Sequence, residues 1–120
     1  MKKFTLIALA MLFTNVLFAQ KFEFFQITTI ESVVPMGIGR SRMLTIDENG
    51  KQEEVKMKNF FSAVGINFGN IRKNDELVGN KLTELSEQGW ELESVNTGVY
   101  SADKSTGIFI TRYLFKRPKE

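Results

Sequence analysis

The chain has 120 residues, 42% of them hydrophobic and 25% charged, enough for one domain with a modest core. It has no Cys and no His, which excludes a disulfide framework, a thiolate zinc site, a lipid-attachment cysteine and both Ser-His-Asp and Cys-His catalysis. The formal charge is +2, yet removing Lys2 and Lys3 from the 16 basic residues leaves 14 against 14 acidic ones, so the remainder offers no bulk electrostatic reason for a nucleic-acid partner.

Those two lysines open a leader. Met1-Lys2-Lys3 is a cationic start, Phe4 to Phe18 is a mostly apolar run of 15 residues, and Ala19 is a small residue at its end. This is the pattern of a secretory signal peptide cut after Ala19. A membrane-spanning helix needs roughly 20 apolar residues, and Asn15 interrupts this run. The expectation is residues 1–19 as signal peptide and 20–120 as a single domain. That domain is expected to be exported to the periplasm or beyond, without a membrane anchor once the leader is removed.

Residues 22–31 are rich in Phe, Ile and Thr and read as a strand. Pro35, Gly37 and Gly39 punctuate the chain after it. Residues 42–47 form a second strand. Asn49-Gly50 then predicts a hairpin, because both residues tolerate positive φ. The return arm, 51–57, is polar and suits a solvated edge. Residues 58–73 mix apolar side chains with Gly65 and Gly69. They predict a helical turn near 59–64 and an extended piece near 66–71.

The clearest helix spans 75–88, capped by Asn74 or Asp75, with Leu77, Val78, Leu82 and Leu85 on one stripe. Gly79 weakens it and suggests close approach to a sheet; Gly89 suits a left-handed C′ position. A strand begins at Trp90, where Trp90 and Leu92 share a face that packs beneath the helix. Residues 101–107 make a polar turn, and 108–116 form the last strand. The fold class is therefore α+β: an antiparallel sheet of four to five strands, with one main helix on one face. In the last strand Phe109, Tyr113 and Phe115 point one way and Ile108, Ile110 and Leu114 the other. A sheet covered on one side should alternate apolar with polar. Either residues 58–73 or a second copy of the chain should cover the second face.

Residues 82–95, LTELSEQGWELESV, and 113–118, YLFKRP, resemble the small bacterial domains of unknown function carrying L-N-x-L-x-x-x-G-W-E-L-V-S-V and a hairpin ending Y-x-L-K-R. Leu82, Leu85, Gly89, Trp90, Glu91, Leu92, Ser94, Val95, Tyr113, Leu114, Lys116 and Arg117 match in type, and Phe115 is an extra residue before Lys116. The resemblance covers just under half of the chain after the leader. It implies a helix on an antiparallel sheet and carries no catalytic residue.

Candidate chemistry is sparse. Arg112, Lys116 and Arg117, with Lys119, form a basic cluster that would contact an anion, or else simply solubilise the strand end. Glu91 and Glu93, two apart on one strand, share a face as a carboxylate pair. Glu84 and Glu87 read as a solvated helix face, and Asp47-Glu48 has too few oxygens for calcium. Ser101-Ala102-Asp103-Lys104 matches the S-x-x-K of penicillin-interacting serine enzymes but sits in a turn, without their helix or further motifs. Trp90 and Tyr100 would line a groove only if Trp90 were exposed; a lone Trp after a helix is usually core. Gly37-Ile38-Gly39 is too short for a phosphate loop. The expectation is a non-enzymatic binding or interaction module with no metal and no cofactor, whose partner is a second copy or an envelope protein. The alternative is a small hydrolase or an enzyme inhibitor at the cell envelope.

Overall fold

The structure is a computed structural model that describes residues 19–34, 40–101 and 107–120. The leader before Ala19, the Pro35–Gly39 stretch and most of the S-x-x-K turn lie outside the described residues.

Five strands make one antiparallel sheet. They are β1 (Phe22–Ser32), β2 (Arg42–Ile46), β3 (Gln52–Lys56), β6 (Glu91–Tyr100) and β7 (Ile108–Pro118), in the order β3-β2-β1-β7-β6. A two-stranded hairpin, β4 (Phe61–Ser62) and β5 (Gly65–Ile66), precedes the helix α1 (Phe68–Glu87). The expected α+β class holds, with five strands in the main antiparallel sheet.

The local signals are explicit. Gly50 has φ 77°, and the Asp47 carboxylate accepts from the Asn49 and Lys51 backbone N–H groups at 2.9 and 2.8 Å, so the β2–β3 turn closes as the Asn-Gly pair predicted. β3 is exposed throughout and forms one sheet edge. Gly89 takes φ 84° just past the helix, as expected.

Alternation divides the sheet into two faces. The register pairs Phe25 with Phe115, Ile27 with Tyr113 and Thr45, and Thr29 with Met43 and Thr111. These odd positions face α1. The core is Phe25, Ile27, Met43, Met57, Leu85, Trp90 and Phe115, with Leu77, Val78, Leu82 and Tyr113 packed against it. The predicted helical stripe is the one that packs.

Several expectations are corrected. The helix starts at Phe68 rather than Asp75, and its cap is Asn67, whose side chain accepts from the Asn70 N–H at 3.0 Å. A Cβ at Gly69 would lie 3.2 Å from that Asn67 oxygen, so the glycine read as a breaker makes room for the cap. Asn74 is no cap. It lies inside the helix, fully buried, and holds the backbone of Lys58 at both its N–H and its C=O, each at 2.8 Å. The segment 58–73 is thus a tight hairpin plus the first turns of α1, not a helical turn and an extended piece. Gly79 is exposed and nothing lies within 4 Å of an added Cβ, so it serves no close approach. Trp90 is buried as expected, but Leu92 is 50% exposed because β6 is the sheet's outer edge, beyond the cover of α1.

Candidate functional site

The basic cluster does not converge. Arg117 points to the helix face. Its guanidinium carbon lies 4.2 Å from the centre of the Trp90 ring, and it bonds to Glu23 at 3.0 Å, Glu48 at 3.4 Å and the Gln88 carbonyl at 3.2 Å. It serves as a clasp between β1, the β2–β3 turn and the end of α1. Lys116 points to the opposite face, pairs with Glu93 at 2.7 Å and lies 5.1 Å above the Phe22 ring. The Glu93 hydrogen bond holds its amine above the usual lysine range. Arg112 is on the same face as Lys116, exposed, and among the described residues it makes no ion pair.

Most of the candidate carboxylates have partners. The register shifts between Leu92 and Ser94, so Glu93 is the extra residue of a β-bulge. The strict two-residue repeat expected for Glu91 and Glu93 is broken there. Glu91 lies opposite Lys116 in the ladder, and Glu93 grips the same amine. Glu84 takes Lys81 at 2.9 Å, and Asp47 is spent on the turn. Among the described residues no group of three or more Asp or Glu is placed to hold a metal ion. None of the described helices is long and apolar enough to cross a membrane. Trp90, tilted against Phe25 at 5.7 Å, is 4% exposed and offers no stacking platform.

One polar cluster has unusual electrostatics, and no motif in the sequence pointed to it. Glu31 at the end of β1 accepts from the Asn74 side chain at 3.0 Å. Burial raises its pKa above the ordinary 4.5, the Asn74 bond opposes that, and Asp75 adds to it. Tyr113 is raised too, by burial and then by the Glu31 and Asp75 charges. Because the folded state disfavours the Glu31 carboxylate, its contribution is present below the unfolded value and is lost as pH rises through the folded one. Glu31→Gln keeps the acceptor for Asn74 without the charge. Urea midpoints measured from about pH 4 to pH 8 should therefore show the variant gaining on the parent as pH rises. A constant difference across that range would mean that Glu31 does not titrate with folding.

The broadest uncommitted feature is the sheet face away from α1. The even positions of β1, β2 and β7 set Phe24, Ile30, Leu44, Ile46, Ile110 and Leu114 on it, interleaved with Gln26, Thr28 and Arg112. Phe24 is 51% exposed and Ile46 41%. Segment 58–73 does not cover it. The Phe60 N–H bonds to the Ser32 carbonyl at 2.9 Å and its ring meets Phe109 at 6.0 Å, on the helix face. Ser32, at the end of β1 on this face, is buried, whereas Phe24 and Ile46 stay open. No protein-family model, no curated protein and no solved structure matches this chain.

Proposed function

We propose that this chain is an exported, non-enzymatic interaction module, and that the open sheet face is its protein contact, used between two copies of the chain. The observation that carries the reading is the apolar row of exposed Phe24 and Ile46 and partly buried Leu44 and Leu114, on a face that no described element covers. Apolar side chains on the inner strands of a sheet gain from being removed from water. Two such faces stacked at roughly 10 Å bury one another as in a sandwich. The ion pairs of Glu93 with Lys116 and of Arg117 with Glu23 and Glu48 support a binding role over catalysis.

Light scattering of the chain without residues 1–19, over a wide concentration range, tests the contact. The average mass should rise with concentration. Leu44→Asp, which puts a charge on β2 within the face, should lower that mass at every concentration while leaving the circular dichroism unchanged. A mass equal to one chain throughout, in the parent protein, would overturn self-association through this face.

A further inference from the structure

The two edges of the sheet differ in a way that bears on assembly. The β3 edge has five residues, and Lys51, Glu53, Glu54 and Lys56 in and beside it discourage pairing with another strand. The β6 edge has ten residues, and Ser94 to Tyr100 contains no charge and no proline. Val95 is 48% exposed, Val99 65% and Tyr100 64%. Among the described residues no strand pairs with β6 on its outer side. A long, uncharged, outward-facing ladder of N–H and C=O groups is a template for another strand.

Within this run Val95 and Val99 lie two residues to either side of Thr97. We infer that β6 pairs antiparallel with β6 of a second copy about Thr97, joining two five-stranded sheets into one of ten. Each Val95 then lies opposite Val99 of the other copy, which fits a two-fold, self-complementary contact. The antiparallel sense also keeps the two sets of Glu91 and Glu93 at opposite ends, whereas parallel pairing would set like charges side by side. Along β6 a shallow cavity of about 340 Å³ is lined by residues 96–100 with Ile110 and Arg112. The pairing sets Tyr100 of the second copy opposite Ser94 and one diagonal step from Asn96. Its ring reaches the rim of that cavity and the Arg112 guanidinium.

This contact is separate from the face contact proposed above, and the two can fail independently. Together they build an assembly larger than a dimer, and each alone stops at the dimer. Light scattering and sedimentation up to about 1 mM chain, which spans weak association, read the difference. Leu44→Asp should leave a dimer held through β6. Adding V95K/V99K to it should raise the dissociation constant at least about tenfold, by setting lysines opposite lysines. Mixing that protein with its V95E/V99E counterpart should restore the dimer, which also shows that the variants fold. The edge pairing is overturned if Leu44→Asp is monomeric throughout, or if its dimer is indifferent to V95K/V99K. The face contact is overturned instead if V95K/V99K alone, with Leu44 intact, is monomeric throughout.

Discussion

Replacing Asn74 by alanine should destabilise the fold by about 2–4 kcal/mol, because it leaves buried backbone groups without partners. The Asn74 side chain donates to the Lys58 carbonyl and to Glu31 and accepts from the Lys58 N–H, at 2.8, 3.0 and 2.8 Å. It thus replaces a missing strand neighbour where the chain leaves β3, and ties that point to α1 and to the end of β1. Alanine fills none of these roles, and water has little access to a side chain of 0% exposure. The expected fall in melting temperature is roughly 10–20 °C for a domain this size. Amide exchange at Lys58 should accelerate more than exchange in β6 or β7. Asn74→Asp gives a sharper diagnosis. The aspartate keeps the acceptor for the Lys58 N–H but sets a carboxylate against the Lys58 carbonyl and Glu31. Its stability should recover as the pH falls and that carboxylate takes a proton. A melting point for Asn74→Ala within about 2 °C of the parent would show that the connection carries little of the fold's stability.

Truncating Leu85 to alanine should cost about 3–5 kcal/mol, at the upper end for a buried leucine. Its side chain is 0% exposed and belongs to the core formed by Phe25, Ile27, Trp90 and Phe115. The site has little room to collapse. Phe25 and Trp90 brace each other at 5.7 Å, and Arg117 closes the outer side of the Trp90 ring. The backbone is pinned as well, since the Leu85 carbonyl accepts from the Trp90 N–H at 3.0 Å across the helix end. Neighbours held this firmly leave a cavity rather than filling it. The measurement is a urea midpoint with tryptophan emission as the probe. The parent should emit in the blue, and the variant should unfold at lower urea with an unchanged slope. Leu82→Ala, at a half-buried position on the same stripe, is the comparison. An equal loss at both positions would argue against the rigidity of the Trp90 corner.

The legible parts of this chain are those whose signal is local. The turn at Asn49-Gly50 and the helix stop at Gly89 rest on φ values of 77° and 84° that glycine adopts freely. The strands and the stripe of Leu77, Val78, Leu82 and Leu85 follow from periods of two and 3.6 residues. The start of the helix differs from the expectation for a physical reason too. Asn67 is a proper cap, but Gly69 and the short hairpin before it resemble breakers, whereas Asp75-Glu76 suits a helix dipole. Asn74 resembles a cap because asparagine is among the residues favoured there. Its actual partners lie 16 and 43 residues away.

The candidate surface was half legible. The apolar residues on both sides of β7 already implied a second face needing cover, and only the fold shows that segment 58–73 goes elsewhere. The basic cluster was legible as composition and not as geometry. Alternation sends Arg117 toward Trp90 and Lys116 away from it, and the bulge at Glu93 hands Lys116 its partner. By itself the sequence determined the fold class, the turns and the absence of Cys and His chemistry, since those depend on backbone propensity, periodicity and residue type. Tertiary structure alone decided which charges are neutralised, which polar side chain is buried in the helix, and which face and edge of the sheet stay open, because each depends on strand order and on contacts between residues far apart in the chain.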